Sequence, residues 1–439
     1  MYSPEIAAAV KNAIASNLRK KSDLSIGAEV ENIVYDDAFN RLPVNRGDAF
    51  STHDLRDELE CANAGIGIEP TLTIEPGGQM EYASSPKTTL QDLDREWRCY
   101  MNGFLSIAED KELIVSDFAL EPIVPADEIT IIDHQKYKLM YNRFDKTGSL
   151  GHEMMLNTAS VQINLDYTSM EEAARLAFVA DVVHPIATLL FSNAPFYKGK
   201  PAGSRNMREI IWRNTDPARS NCLIDHGISD VPTLVDDFGD YVLKTPVIFI
   251  FEKDGSVGTF NGTLGQWLSS LNNAGKMERN DVMTALHQIF TQVRFKHILE
   301  IRGPDRPPFG YELAPAAFFQ GLLRSPSSME KAMEVCSDYT ASERTSLNSA
   351  VQTLDFEESP VSGKTLRDLC EQFLQLALDG LSEDDRESYL RPFSDKFLTE
   401  GPFSLSTQEA FRKSTKSVVQ FILDRWKEQK EYLKDYTRI

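Results

Sequence analysis

Three short segments of the chain alternate apolar and polar side chains, and this alternation constrains the fold more than any other feature. Successive side chains of a β-strand point to opposite faces, so each segment would carry one apolar and one polar face. The polar residues are Glu29 and Glu31 within 26–34, Gln162, Asn164 and Asp166 within 160–167, and Glu300 and Arg302 within 297–302. The pattern predicts strands of a sheet that has one charged face.

Carboxylates set among Ile, Leu and Val belong to strands that are mostly buried. Burying a carboxylate without a partner is costly, so cations must neutralise such a face. We therefore interpret the charged face as an active site. The alternative is that each segment is an ordinary antiparallel strand with a solvated outer face, because alternation alone is a weak signal.

A fourth segment, 71–86, reads as two strands that are joined at Pro76-Gly77-Gly78. Proline cannot donate to a central ladder, so the chain must turn or bulge there, and bulges recur beside active sites. Such a break would let Glu75 and Glu81 converge on one point. A surface hairpin with two exposed carboxylates is the alternative.

The charge balance bounds the class of partner. Asp plus Glu number 66 against 46 Lys plus Arg, which gives a net charge of −20 and argues against nucleic acid. The five cysteines have no zinc or disulfide spacing, so each is expected to be a small buried residue. We see no secretory signal and no apolar run that approaches the ~20 residues of a membrane span. A cytoplasmic monomer or homodimer acting on small molecules, without a membrane partner, is the expectation.

Element signals along the chain predict an α+β fold. We expect an antiparallel or mixed sheet that forms a curved active-site funnel, flanked by helices, with a helical C-terminal portion. Residues 1–325 would be the catalytic core, and 326–439 would pack on the same domain as helices. Expected elements include a strand over 155–167 after a flexible 148–152, a functional loop over 192–222, and a final amphipathic helix over 407–432.

The acids and cations suggest a metal-dependent reaction on an anion. Oxygen-only clusters suit Mg²⁺ or Mn²⁺ rather than zinc, and Arg302 would share a face with Glu300 to meet a phosphoryl group or carboxylate. The loop would supply further cations, which are Lys198, Lys200, Arg205, Arg208, Arg213 and Arg219. A carboxylate-pair hydrolase and a ligand-binding protein without turnover are the competing hypotheses.

Several motifs carry a family resemblance. IGAEVEN, IEPGGQMEYAS, MMLNTASVQINLDY, SNAPFYKGKPAG, REIIWRNTD and FKHILEIRGPD follow one another along the chain. In this order they resemble glutamate–cysteine ligases of the plant and proteobacterial type, within the carboxylate–amine ligase superfamily that includes glutamine synthetase. The resemblance covers most of residues 22–325.

The resemblance implies a reaction and a set of residue roles. ATP and Mg²⁺ would activate the γ-carboxylate of glutamate as an acyl phosphate, and the amine of L-cysteine would displace phosphate to give γ-glutamylcysteine, the first step of glutathione biosynthesis. A γ-glutamyl ligase with a different amine acceptor is the alternative. The implied metal ligands are Glu29, Glu31, Glu75, Glu81, Gln162 and Glu300. The implied catalytic residues are Arg302 and Glu300, the substrate-binding residues Arg208, Arg219, Asn164 and Trp212, and the ATP-binding residues Arg294 and Lys296.

The chain departs from the family pattern at two places. Asn157 stands where the family usually has an arginine, and Pro304-Asp-Arg-Pro-Pro-Phe309 replaces a Gly-Gly-Pro-Trp run. Activation of glutamate by ATP is therefore a firmer expectation than cysteine as the acceptor.

Overall fold

The computed structural model describes residues 3–438 and is built on a seven-stranded sheet. The strand order is β12-β13-β5-β1-β3-β2, with β4 paired to β1 off this path, and every pair in this sheet is antiparallel. A parallel pair, β8 with β11, lies outside it. The strands are β1 (Ile26–Tyr35), β2 (Thr71–Ile74), β3 (Met80–Ala83), β4 (Ile114–Ser116), β5 (Val161–Leu165), β6 (Phe196–Tyr197), β7 (Lys200–Pro201), β8 (Ser220–Asn221), β9 (Ile250–Phe251), β10 (Val257–Gly258), β11 (Phe290–Thr291), β12 (Val293–Phe295) and β13 (Leu299–Ile301).

Helices surround the sheet, and they make up almost all regular structure after residue 313. They are α1 (Pro4–Ile14), α2 (Thr52–Ile66), α3 (Leu90–Asp110), α4 (Gln135–Thr147), α5 (Gly151–Asn157), α6 (Met170–Leu190), α7 (Met207–Arg213), α8 (Leu234–Lys244), α9 (Leu264–Asn273), α10 (Arg279–Leu286), α11 (Ala314–Arg324), α12 (Pro326–Ser337), α13 (Ala341–Ala350), α14 (Leu366–Asp379), α15 (Glu383–Asp385), α16 (Arg391–Glu400), α17 (Phe403–Ser414) and α18 (Val418–Tyr436). The predicted α+β class and the helical C-terminal portion are confirmed.

Strand register places the predicted polar residues on one face. Glu29 lies opposite Gln162, Glu31 opposite Glu81, and Asn164 opposite Glu300. Because directly paired residues of an antiparallel sheet point to the same side, one continuous polar face runs across six strands. Helices α6 and α11 pack on the sheet from the apolar side.

The Pro76-Gly77-Gly78 break between β2 and β3 is a tight turn. The Glu75 N–H donates to the carbonyl of Gln79, and Gly78 has a φ of 86°, which favours glycine. A Cβ on Gly77 would lie 2.3 Å from the carbonyl oxygen of Leu156, so only glycine fits there. Both glycines are thus required to bring the turn against α5.

Helix α6 is the central helix, and it corrects one expectation. By length and composition it is long and apolar enough to cross a bilayer, with a mean hydropathy of 1.5, although no such run was expected. Within the protein, 94% of that stretch is buried. The surrounding sheet and helices therefore cover its apolar surface.

Several predicted element boundaries were wrong. Residues 151–157 form the buried helix α5, so the flexible approach and the early start of the strand at 155 are not found. The segment 192–222 contains β6, β7, α7 and β8. The last amphipathic helix is two helices, α17 and α18, which separate at Thr415, where φ is 56°. Cys61 is exposed and Cys99 partly exposed, whereas the other three cysteines are buried as expected.

The C-terminal helices share the main hydrophobic core. One cluster of buried side chains runs from Ile6 to Leu433 and includes the apolar face of the sheet. Helix α14 crosses α11 so closely that a Cβ on Gly321 would lie 2.1 Å from the carbonyl oxygen of Ala377. This packing agrees with the expectation that residues 326–439 pack on the same domain, while the boundary at 325 stays a prediction.

We expect Gly321→Ala to destabilise the whole protein, because the added methyl group must push α14 away from α11. The expected loss is at least ~2 kcal/mol in the free energy of unfolding, measured by urea denaturation. Gly65→Ala in α2 is the matched control. Its Cβ would meet nothing within 4 Å, so the better helix propensity of alanine should raise stability by about 0.5 kcal/mol. Equal effects of the two variants would contradict the close α11–α14 crossing.

Candidate active site

A cavity of about 380 Å³ lies on the polar face of the sheet. Its acidic side is lined by Glu29, Glu31, Glu75 and Glu81, and its cationic side by Lys136, Arg294, Lys296 and Arg302 around Glu300. An apolar wall completes it with Tyr137, Met140, Met154, Met155, Trp212, Phe249, Phe251 and Phe290. The structure thus brings together the predicted acids Glu29, Glu31, Glu75, Glu81 and Glu300 in one pocket.

Glu31 lies at the centre of the acidic side, deep in the sheet. Burial, followed by repulsion from Glu75, raises its pKa to about 7, although Arg208 and the hydrogen bond from Ser160 oppose this. The Ser160 N–H donates to Glu31 Oε2 at 2.6 Å and the Gln162 side-chain amide donates to Oε1 at 3.3 Å. These donors fix the orientation of the carboxylate without neutralising it.

The neighbouring acids repel one another. Burial and then the charges of Glu75, Glu29 and Glu31 raise the pKa of Glu81 well above its ordinary value. Burial also raises the pKa of Glu75, against the attraction of Lys136 and Arg302. Within residues 3–438, none of the four acids forms an ion pair; Glu29 and Glu81 accept hydrogen bonds from Asn164 and Thr73. These four acids are therefore not neutralised by a paired cation.

Glu300 has a different environment from the other acids. Arg294 donates to both of its oxygens, and Lys296 Nζ and Arg302 Nη1 lie 3.2 Å and 3.1 Å from Oε1. Burial raises its pKa, but Arg294, Lys296 and Arg302 more than offset this and hold the pKa well below the ordinary value. Glu300 therefore holds three cations in place, and the metal-ligand role predicted for it stays a prediction.

Gln162, whose predicted metal-ligand role also stays a prediction, lines the cavity between its two sides. Its Oε1 accepts from Arg302 Nη1 at 2.7 Å, while its amide nitrogen faces Glu31. The side chain therefore bridges the acidic and cationic sides. Asn164, predicted to bind substrate, is on the same strand and donates to Glu29 at 2.7 Å, outside the lining of the cavity.

Two guanidinium groups lie close to the ring of Trp212 at one wall of the cavity. The guanidinium carbons of Arg208 and Arg302 lie 5.8 Å and 5.5 Å from its ring centroid. Arg208 is anchored behind the ring by bonds to the carbonyls of Gly303 and Arg302. The Nε atoms of both arginines and the Trp212 indole N–H are buried without a hydrogen-bond partner. Unpaired buried donors are costly, so this wall is suited to an anionic ligand.

None of the six cations predicted in the 192–222 segment lines the cavity, although Arg208 lies close enough to Glu31 to oppose the rise in its pKa. Arg219 is fully buried and donates to Asp216 and to the carbonyls of Gln288 and Pro246, so its predicted substrate-binding role is not supported. Arg213 pairs with Glu209, and Lys198 pairs with Glu153. The regular elements that form within this segment turn these side chains away from the polar face.

Arg294, Lys296 and Arg302 were predicted from the sequence, whereas Lys136 and His287 are basic side chains of the cavity that it did not reveal. Lys136 on α4 lies 4.6 Å from the Tyr137 ring centroid and 5.6 Å from that of Phe249, with no carboxylate at ion-pair distance among residues 3–438. His287 lines the same side; burial and then the charges of Lys296 and Arg294 lower its pKa to about 3. Neither lies in an alternating segment, so strand periodicity gave no signal for them.

The two departures from the family pattern lie outside the cavity lining. Asn157 donates to Glu153 at 2.7 Å and to the carbonyl of Val124. Arg306 is fully buried and donates to Asn32 and Glu312. Both residues stabilise the scaffold behind the site.

A divalent cation fits the donor chemistry of the acidic side. Among the residues that the structure describes, no group of three or more His, Cys, Asp or Glu stands ready to hold a metal ion. The oxygen donors Glu29, Glu31, Glu75 and Glu81 nevertheless form no ion pair with a side chain of residues 3–438, and oxygen-only sets suit Mg²⁺ or Mn²⁺. Neutralisation by such an ion would relieve the repulsion that raises the pKa values of Glu31, Glu75 and Glu81.

We expect Glu31→Gln to stabilise the metal-free protein at pH 8. A folded-state pKa of about 7, against 4.5 for the unfolded chain, means that the folded protein holds an extra proton between these values. The contribution of Glu31 to the free energy of unfolding therefore falls by up to ~3 kcal/mol as pH rises from about 4.5 to about 7.

The measurement is the free energy of urea unfolding in EDTA at pH 4.5 and pH 8. Glu31→Gln should exceed the native protein at pH 8 and differ little at pH 4.5, whereas Gln in place of the exposed Glu334 should change neither value. Glu300→Gln should destabilise, because it leaves three buried cations without their shared carboxylate. Loss of stability in Glu31→Gln at pH 8 would contradict the unpaired state of Glu31.

Comparison with known proteins assigns the chain to a family. The model of glutamate-cysteine ligase family 2 matches residues 25–376. The chloroplastic glutamate–cysteine ligase of Arabidopsis thaliana is 33% identical over 325 residues, which are 71% of this chain and 60% of that protein. Glutamate–cysteine ligase A of Oryza sativa subsp. indica, also chloroplastic, is 31% identical over 74% of this chain and 67% of its own length.

Solved structures agree on the fold. The glutamate–cysteine ligase of Francisella tularensis, crystallised with AMP, has a TM-score of 0.59 at 13% identity and covers 96% of this chain and 93% of its own. The bifunctional glutathione synthetase of Pasteurella multocida has a TM-score of 0.51 at 12% identity, with 98% of this chain and 55% of its own covered. The family match runs past residue 325 into the C-terminal helices. The chain belongs to glutamate-cysteine ligase family 2.

Proposed function

We propose that the protein uses ATP to join the γ-carboxylate of glutamate to the amine of L-cysteine, which is the first step of glutathione biosynthesis. The observation that carries the proposal is the opposition of a cation-poor acidic side and a cation-rich side across one sheet face. Family membership supports the reaction type. The match spans 60% of the length of the Arabidopsis enzyme. The activity, substrates and partners of this chain are therefore proposals.

The wall around Trp212 is the proposed glutamate site. Arg302 and Trp212 line the cavity and each has a buried donor without a partner, so a substrate carboxylate would bind beside them. Arg208 does not line the cavity, but backbone carbonyls hold its guanidinium carbon 5.8 Å from the ring centroid, so it would add positive charge to this wall. Arg219 is excluded from this role by its own buried contacts.

The cationic side is the proposed site of the ATP phosphates. Arg294 and Lys296 are held in place by Glu300, and Arg302 lies between them and the glutamate wall. A γ-carboxylate oxygen of glutamate would attack the terminal phosphorus of ATP and ADP would leave. Arg302 would stabilise the charge that develops on the transferred phosphoryl group.

The acids Glu29, Glu31, Glu75 and Glu81 would hold Mg²⁺, with Mn²⁺ as a substitute. The ion would supply charge neutralisation between the carboxylate and phosphates, which otherwise repel each other. The protein contributes buried oxygen donors whose orientation is set by Ser160, Asn164 and Thr73.

The acceptor amine would enter beside the apolar wall. Met140, Met154, Met155 and Phe290 offer a soft, apolar lining, which suits the short thiol side chain of cysteine. Its amine would attack the acyl phosphate carbonyl and expel phosphate. A different small amine acceptor in the same reaction remains the second candidate. Four acids with a separate cationic side favour phosphoryl chemistry over a carboxylate-pair hydrolase.

A cytoplasmic location and a monomer or homodimer, acting without nucleic acid or membrane partners, belong to the same proposal. The net charge of −20 supports the absence of a nucleic-acid partner, because phosphate backbones require a basic surface.

The test is ADP release by the purified protein with Mg-ATP, glutamate and a panel of amines. ADP should form only when both glutamate and an amine are present, with cysteine as the best acceptor. Arg302→Lys should lower kcat/KM by about 10²–10³-fold, because lysine cannot both stack on Trp212 and bond to Glu300. Arg205→Lys, an exposed position in the 192–222 segment, should leave the rate unchanged. ADP release without glutamate would refute the proposal.

Magnesium should stabilise the protein through the acidic side. We expect 5 mM Mg²⁺, about a typical assay concentration for an ATP-dependent enzyme, to raise the Tm of the native protein at pH 8. The rise should be largely lost in Glu75→Gln, because one of the four buried donors is then neutral. Na⁺ at equal ionic strength and Mg²⁺ with the exposed-site variant Glu334→Gln are the controls. An equal rise in the native protein and Glu75→Gln would contradict the assignment of Glu75 to the metal.

A further inference from the structure

His184 is a buried histidine on the apolar helix α6, outside the lining of the cavity. Its side chain is 1% exposed, and α6 packs against β12 and β13. A polar ring is costly to bury unless it has hydrogen-bond partners. The ring contacts Glu209 and Gly303, and each of these residues directly follows an arginine of the proposed glutamate site along the chain.

The first contact ties α6 to the start of α7. His184 Nε2 lies 3.3 Å from Glu209 Oε2. Burial by itself would raise the pKa of Glu209, but its contacts with His184 and Arg213 lower it to about 2. Because an ionised carboxylate only accepts hydrogen bonds, Nε2 of the ring donates here. The donor thus holds the turn of α7 that also carries Arg208.

The second contact is steric and lies at the end of β13. A Cβ on Gly303 would lie 2.0 Å from His184 Nδ1 and 2.5 Å from Cε1, so only glycine fits beside the ring. The Gly303 carbonyl accepts from Arg208 Nη1 at 2.8 Å, and the Arg302 carbonyl accepts from Nη2 at 3.1 Å. The ring therefore limits how far residues 302 and 303 can move towards α6.

Together the two contacts close a loop behind Trp212. The ring supports Arg208 through α7 and supports Arg302 through Gly303, while the Arg302 carbonyl joins the two arginines directly. Both guanidinium carbons lie within reach of the Trp212 ring, at 5.8 Å and 5.5 Å from its centroid. A shift of the histidine ring would therefore change the spacing of both positive charges around Trp212.

We infer that His184 is a positioning residue for the proposed glutamate site, where it sets the spacing of Arg208 and Arg302. The inference rests on the proposed function and adds to it a residue that does not touch substrate. Its loss should weaken the binding of glutamate and spare the binding of ATP. The phosphate-binding cations Arg294 and Lys296 are held by Glu300 instead.

The experiment measures the KM for glutamate and the KM for Mg-ATP from ADP release by the full chain, with cysteine as acceptor. Gly303→Ala should raise the KM for glutamate about tenfold, because the added methyl group collides with the ring. His184→Ala should raise it as well, because Glu209 and Gly303 lose their support. The KM for Mg-ATP should stay within about twofold of the native value in both variants.

Two further variants separate positioning from loss of structure. The double variant His184→Ala with Gly303→Ala should have a lower KM for glutamate than Gly303→Ala alone, since the missing ring leaves room for the methyl group. His184→Gln should come closer to the native KM than His184→Ala, because its amide can still donate to Glu209.

Val182→Ala is the control, a buried truncation on the other side of α6. It should lower the Tm and leave the KM for glutamate unchanged. An unchanged KM for glutamate in His184→Ala, an equal rise in both KM values, or no relief in the double variant would overturn the positioning role alone. Should His184→Ala not fold, an unchanged KM in Gly303→Ala would overturn it. Absence of glutamate-dependent ADP release by the native protein would instead refute the proposed function.

Discussion

On one face of an antiparallel sheet, the carboxylates of Glu29, Glu31, Glu75 and Glu81 lie apart from the cations that pair with Glu300, and the rest of the site depends on this separation. Strand spacing accounts for it. Glu300 on β13 lies two strands from Glu29 on β1, which is roughly 10 Å at the usual spacing of about 4.8 Å per strand. Opposite charges in a dry pocket would otherwise attract strongly.

Strand β5 acts as a neutral spacer between the two sides. Its residues on the polar face are the amides Gln162 and Asn164, and both make contacts across strands. Gln162 accepts from Arg302 and donates to Glu31, while Asn164 donates to Glu29. An amide can satisfy an acid and a cation at once because it has both a donor and an acceptor. The acids are thereby oriented, but no cation of the protein neutralises them. A metal ion could therefore still bind to their oxygens.

The polar face could be predicted from the sequence, because a period of two fixes which side chains share a side of a strand. The positions of Glu29, Glu31 and Glu300 on this face followed from the alternation alone. The glycines after Pro76 indicated the turn that brings Glu75 near Glu81. Lys136, His287 and Phe251 could not be found in this way. They reach the cavity from helices, a loop and a hairpin, so their positions depend on tertiary packing that leaves no periodic signal.

The predicted cations of the 192–222 segment lie outside the cavity lining for one physical reason. Arg219 and the other cations of 192–222 were grouped by their closeness in sequence, yet this segment folds into short strands and helix α7, which point neighbouring side chains in different directions. The Arg219 guanidinium instead donates to the carbonyls of Gln288 and Pro246. Arg208 differs because it lies one helical turn from Trp212, and residues four apart share a helix face. From this face of α7 its charge opposes the rise in the pKa of Glu31, although Arg208 itself does not line the cavity.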